Sequence, residues 1–110
     1  LVDFWATWCP PCLASLPWYG ELKKQYGDRL VVIAIAVDSE EADVRKLAAE
    51  RKLPFVWVMG TPELGRAFGD VSAVPTLFVF DGQGRNVGAF YGAPPTLHKE
   101  VEAKLGTVAR

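Results

Sequence analysis

The sequence predicts an α/β protein, a central mixed β-sheet flanked by helices on both faces. Three observations carry this. Short apolar, β-prone runs alternate with helix-patterned stretches from Leu1 through Phe68, the order expected of parallel strands joined by crossovers. A turn sequence, Asp81-Gly82-Gln83-Gly84, then separates two further strand-like runs and signals an antiparallel hairpin. The chain has 110 residues, 50% of them hydrophobic, which suits one domain with a single core.

The elements follow in order. Leu1 to Trp5 is short, apolar and β-prone, interrupted by Asp3. Ala6 to Pro11 is a turn entering a helix over Cys9 to Tyr26, with Leu16, Tyr19, Leu22 and Tyr26 near helical spacing. Pro11 suits a first-turn position, Pro17 falls in the interior and predicts a kink, and Gly27-Asp28 ends the helix. Leu30 to Val37 is rich in Val and Ile and predicts a central strand covered on both faces. Asp38 or Ser39 then caps a helix running to Arg51, with Asp38 and Glu41 spaced as a capping box and Val44, Leu47 and Ala48 facing inward. Leu53-Pro54 stops it. Phe55 to Met59 is a short strand, and Pro62 to Phe68 a short helix ended by Gly69. Leu77 to Phe80 and Arg85 to Tyr91 are the two arms of the hairpin. Pro94-Pro95-Thr96 opens a last helix with Leu97, Val101 and Leu105 on one face.

Lys and Arg number 12 and Asp and Glu 13, a formal net charge of -1. That balance excludes the basic footprint of a nucleic-acid binder and a polybasic membrane patch. The longest apolar run, Leu30 to Val37, falls far short of the roughly 20 residues of a spanning helix. No nucleic-acid partner and no membrane contact by this segment are therefore expected. Because the chain opens on Leu1 inside a strand, residues 1–110 are expected to be one N-terminally truncated domain.

The two cysteines, Cys9 and Cys12, are too close in sequence to staple a useful loop. A metal site usually takes four ligands, and besides these thiols there are only the distant His98 and Met59. A Cys-x-x-Cys pair at the start of a helix suits redox chemistry. Side chains three apart are neighbours, and the positive helix N-terminus favours a Cys9 thiolate. Spacing alone leaves open a second class, a metal-binding or copper-delivery module using the same two soft ligands.

Val2-Asp3-Phe4-Trp5-Ala6-Thr7-Trp8-Cys9-Pro10-Pro11-Cys12 resembles the active-site segment of the thioredoxin superfamily. Val74-Pro75-Thr76 before a strand resembles its second signature, and Pro17 matches its helix-kinking proline. The resemblance covers nearly the whole chain and implies a thioredoxin-like fold with a cis proline at Pro75 facing the cysteine pair. A helix, a strand and a second short helix fill the stretch from Asp38 to Pro75, where a minimal thioredoxin has one helix. That inserted helix–strand segment before the proline, with the Trp-Ala-Thr-Trp-Cys wording, resembles the TlpA/ResA-type proteins, which are extracytoplasmic reductases. Their extra N-terminal hairpin is absent here. Ser15 and Leu13 stand where many relatives carry a Glu and a basic residue, and Asp3 is the residue of ordinary thioredoxins.

The resemblance implies a thiol–disulfide oxidoreductase that reduces protein disulfides. Cys9 is expected as an exposed nucleophile and Cys12 as the more buried resolving thiol. Asp3, its pKa raised by burial, is expected to exchange a proton with Cys12. Trp8, Pro10 and Pro11 flank the pair, and Pro75 presents the backbone of Val74, with Thr76 beside it, to an extended client strand. In the family the proline also keeps metal ions off the thiols. Trp5 and Trp57 read as core, and His98, Glu100 and Glu102 as solvated surface. No cofactor is expected beyond the Cys9–Cys12 disulfide. The expected partners are oxidised proteins and an upstream thiol electron donor, the expected state is a monomer, and the favoured location is extracytoplasmic. A general cytoplasmic thioredoxin is the alternative on the same fold.

Overall fold

A computed structural model describes residues 1–69, 71 and 73–108. Its elements run β1 (Val2–Trp5), α1 (Pro10–Tyr26), β2 (Ile33–Ala36), α2 (Glu41–Arg51), β3 (Val56–Met59), α3 (Pro62–Ala67), β4 (Thr76–Phe80), β5 (Asn86–Tyr91) and α4 (Leu97–Val108). The strands form one sheet in the order β3-β2-β1-β4-β5. The β1–β2 and β2–β3 ladders are parallel, and the β1–β4 and β4–β5 ladders antiparallel, so the sheet is mixed as the sequence predicts.

The Leu30 to Val37 run supplies β2, an interior strand between β3 and β1 with core on both faces, and the middle place in the sheet belongs to β1. Only Ile33–Ala36 of that run is strand, and Val31 is 55% exposed. Continuous hydrophobicity marked a buried strand correctly but could not rank it against β1, whose Asp3 lowers its apparent apolar character. The α2–β3 segment predicted as an insertion extends the sheet beyond β2, with β3 on the edge.

Alternation along β1 sorts the core into two layers. Val2 and Phe4 join Ile35 and Phe78 on one face, against Leu64 and Phe68 around α3. Trp5 lies on the other face with Ala34, Ala36, Leu77 and Val79, in one core cluster with Leu16, Tyr19 and Leu22 of α1, Val44 of α2, and Val101 and Leu105 of α4. Trp5 packs edge-on to the half-buried Trp57 at 5.6 Å between centroids. Aromatic rings dominate the thinner layer: Phe4 meets Phe68 at 5.2 Å and Phe78 at 6.1 Å.

The predicted capping box at Asp38 does not form. The N-cap of α2 is Glu40, without a side-chain cap bond. Asp38 turns through a left-handed conformation (φ 46°), and the Ser39 hydroxyl is occupied elsewhere, donating to the Val37 carbonyl. The hairpin turn is as predicted. Asp81 Oδ1 accepts from the N–H groups of Gln83 and Arg85, and Oδ2 accepts from Arg85 Nε at 2.9 Å.

Candidate active site

The central strand delivers the chain to the site. β1 ends at Trp5, and the Cys9 N–H donates back to the Ala6 carbonyl at 3.2 Å, closing a tight turn into α1. The loop after β2 braces this turn. The Thr7 N–H donates to Ser39 Oγ at 3.0 Å, and the Trp8 indole N–H donates to the Asp38 carbonyl at 2.8 Å. The Ser39 hydroxyl read as a helix cap thus serves the cysteine turn instead.

Cys9 is the N-cap of α1, in extended conformation, with Pro10 and Pro11 in the first turn. Neither proline has an N–H, so Cys12 carries the first free amide of the helix. It donates to Cys9 Sγ at 3.3 Å. No acidic residue lies in that first turn, which leaves the positive end of the helix facing the sulfur. Cys9 and Cys12 form a disulfide, with their Cα atoms 5.3 Å apart.

Cys9 is not exposed as expected. It is 5% exposed and Cys12 1%, both within the larger core cluster. The exposed surface around the disulfide is instead Trp8, at 61%, with Pro10 and Pro11.

Asp3 is 1% exposed. Its strand partners, Ala34 in β2 and Leu77 in β4, are apolar. It lies on the α1 side of the sheet with Trp5, and the Tyr19 hydroxyl donates to its Oδ1 at 3.5 Å. Its Oδ2 is buried and accepts no hydrogen bond from the described residues, and the buried Trp5 Nε1 likewise has no partner among them. Burial pushes the Asp3 carboxyl up from 3.8 to about 7, with the Tyr19 hydrogen bond opposing that rise. The same burial, with the Asp3 charge beside it, pushes the Tyr19 phenol above its ordinary range.

The Val74–Pro75 peptide is cis, as the resemblance implies. In the antiparallel β1–β4 register Phe4 faces Thr76, so Pro75 enters β4 next to the end of β1 that leads into the cysteine turn. Pro75 is buried and its carbonyl accepts from the Gly92 N–H at 2.8 Å. Thr76 does not reach the surface expected of it. It is 1% exposed and its hydroxyl donates to the Ala73 carbonyl, so it belongs to the sheet interior. Val74 and Trp8 line one groove of about 640 Å³, with Val37, Gly60, Pro62 and Arg66 among its other walls.

The sequence reading missed two links. Tyr19 meets Asp3, although helical periodicity showed only that Tyr19 faces inward. Trp18 stacks on His98 at 3.7 Å and 13°, and its indole N–H reaches Glu102 Oε1 at 3.3 Å. His98 and Glu102 are therefore clasped to α1 and not merely solvated, a long-range pairing that no local spacing encodes. Among the described residues no three His, Cys, Asp or Glu side chains gather as a metal site, and no helix is long and apolar enough to cross a membrane.

Comparison with known proteins agrees with this architecture. The Redoxin family profile matches residues 1–105. The chain is 32% identical over 108 residues to the thioredoxin-like protein YneN of Bacillus subtilis, covering 96% of this chain and 62% of that protein. It is 32% identical over 94 residues to the thiol-disulfide oxidoreductase ResA of Bacillus cereus, covering 83% of this chain and 53% of that one. The chain thus spans less than two thirds of the length of either relative. A crystal structure of a putative thiol:disulfide interchange protein DsbE from Chlorobium tepidum superposes with a TM-score of 0.88 at 27% identity, covering 99% of this chain and 78% of that one. With its parallel–antiparallel sheet, its cysteine pair at the start of α1 and its proline before β4, the chain belongs to the Redoxin family and has the thioredoxin-like fold.

Proposed function

We propose that this chain is a thiol–disulfide oxidoreductase that reduces disulfides in client proteins through Cys9 and Cys12. The observation that carries this reading is the Cys12 N–H directed at Cys9 Sγ at the positive end of α1, a geometry that favours the thiolate. The reduced Cys9 thiolate attacks one sulfur of the client disulfide. A mixed disulfide forms and the other client sulfur leaves as thiolate. Cys12 gives its proton to the Asp3 carboxylate and attacks Cys9 Sγ. The Cys9–Cys12 disulfide forms, and the second client sulfur leaves as thiolate. Two electrons pass to the client, and an upstream thiol donor returns them.

The client strand lies in the groove that Trp8 and Val74 line. Its main chain pairs with that of Val74. The ResA and DsbE relatives support an extracytoplasmic location, where the electrons would come from a membrane-embedded thiol donor. The test is the reduction potential of the Cys9–Cys12 couple, measured with insulin disulfide reduction by the chain and its Cys9→Ser variant. A potential near or below roughly -250 mV, with activity lost in Cys9→Ser, is expected. A potential near about -120 mV would make the chain a disulfide donor and overturn the reductase reading.

A further inference from the structure

Among the described residues Asp3 makes no ion pair. Its neighbours in the sheet are Ala34 and Leu77, and the buried residues of α1 are Cys12, Ser15, Leu16, Tyr19 and Leu22, of which Tyr19 reaches it with a hydrogen bond. From α4 the buried side chains are Leu97, Val101 and Leu105, and β1 itself adds Trp5 on the same side. Among the described residues the titratable groups in this layer are Asp3, Tyr19, the cysteine pair, the half-buried Tyr26 and the N-terminal amine of Leu1, which donates to the Val31 carbonyl. One polar side chain touches the carboxyl, the Tyr19 hydroxyl on Oδ1, and Oδ2 is left over.

The helix places these groups in line. Cys12 and Tyr19 are seven residues apart, two turns along one buried face of α1. Side chains on a helix lean toward its N-terminus, so the long Tyr19 ring reaches back from its own turn toward that of Cys12. Asp3 approaches from β1 below.

We propose that Tyr19 is a positioning residue for the dithiol chemistry: its hydroxyl holds Oδ1 of Asp3 and leaves Oδ2 as the atom that takes the Cys12 proton. This rests on the reductase reading above. In the resolving step the Cys12 S–H bond breaks and an O–H bond forms at Oδ2. The freed sulfur pair then makes the Cys9–Cys12 bond while the Cys9–client bond breaks, and the proton returns from Oδ2 to the departing client thiolate through solvent. The Tyr19 O–H bond stays intact throughout, because its burial and the adjacent carboxylate both disfavour the phenolate. The hydrogen bond also favours the charged form of Asp3 and so opposes the upward push of burial. Tyr19 thereby keeps part of the Asp3 population ionised near neutral pH, the form that can accept a proton.

The experiment uses Tyr19→Phe, which removes only the hydroxyl, and Asp3→Asn/Tyr19→Phe beside Asp3→Asn. Two readouts are taken across pH: the carbon-13 titration of the Asp3 carboxyl, and the single-turnover rate at which a mixed disulfide on Cys9 is resolved. In Tyr19→Phe both midpoints are expected to rise by about one unit, the scale of one hydrogen bond to a charged group. The rate near pH 7 then falls about fivefold and recovers at higher pH. In the Asp3→Asn background the Tyr19 change is expected to leave the profile unmoved. An Asp3 titration unchanged in Tyr19→Phe overturns this role, as does an equal rate loss at every pH, which would mark a structural effect. Wild-type chain inert toward disulfides overturns the reductase reading instead, and is seen without any variant.

Discussion

The backbone N–H of Cys12 donates to the sulfur of Cys9 at 3.3 Å, and no earlier residue of the helix can do so, because Pro10 and Pro11 carry no amide hydrogen. The N-cap sulfur of α1 therefore receives one of the two bonds that the N2 and N3 positions ordinarily offer. Pro11→Ala restores the donor at N2. In the reduced protein this is expected to lower the Cys9 pKa by about half to one unit, read from the pH dependence of alkylation. An unchanged or raised value would mean that the Cys12 amide already satisfies the sulfur.

Asp3 makes folding stability depend on pH in an unusual direction. Its carboxyl titrates at about 7 in the folded chain against 3.8 as an ordinary Asp, so between these values the folded state holds a proton that the unfolded state has released. Stability from this group is complete below the unfolded value and is lost as pH rises through about 7. The full span is on the order of 4 kcal/mol, from three units at 1.36 kcal/mol each. Asp3→Asn is expected to abolish most of it, leaving the variant more stable than wild type near pH 9. Urea melts of both proteins near pH 5 and near pH 9 measure this. A wild type whose advantage or deficit is the same at both pH values would contradict a buried, neutral Asp3.

Trp8 offers a way to separate docking from chemistry. Its ring is 61% exposed and held by one hydrogen bond to the Asp38 carbonyl. Trp8→Ala is expected to cost no more than about 1 kcal/mol of stability. It should lower kcat/KM for a protein disulfide about tenfold while leaving reduction of a small aromatic disulfide within about twofold. Equal losses on both substrates would place Trp8 in the chemistry of the sulfurs and not in client recognition.

The Trp18–His98 stack joins α1 to α4 at a site where neither partner is buried. His98→Ala is expected to destabilise the fold by about 1 kcal/mol, the usual worth of an aromatic pair, and to shift the Trp18 fluorescence. Denaturant midpoints and emission spectra report it. A neutral substitution on both counts would return His98 to the bare surface role that its sequence position suggests.

The contrast between these residues shows what the sequence made readable. Element order, the position of Pro75 before β4, and the inward faces of α1 and α4 follow from periodicity and punctuation, which are local. Asp3 in an apolar strand announced itself as anomalous, and its burial is as expected. The Tyr19–Asp3 contact depends on how α1 lies across β1, and the Trp18–His98 clasp on how α4 closes over α1, so neither spacing hints at a partner. Ser39 was misassigned for a related reason. A hydroxyl just before a helix-patterned run fits a cap locally, as Asp38 also does, but the Thr7 N–H, thirty-two residues away, uses the Ser39 oxygen instead. The depth of Cys9 escaped because exposure at a helix start is the local default, which the Trp8 turn and the prolines override.

Strand β1 carries one further consequence, for the path by which the protein folds. It sits at the middle of the sheet, yet its two ladders reach very different distances along the chain: Val2 pairs with Ile33 on one side and with Phe78 on the other. The first pairing spans a single crossover, whereas the second waits for nearly everything between. Closing so long a loop is an entropic burden that slows folding. The cysteine turn can therefore exist on a β1–α1–β2 half before Pro75 and the Val74 backbone arrive to face it. Thiol reactivity and client recognition should consequently appear at different times during refolding, with recognition following the closure of the β1–β4 ladder.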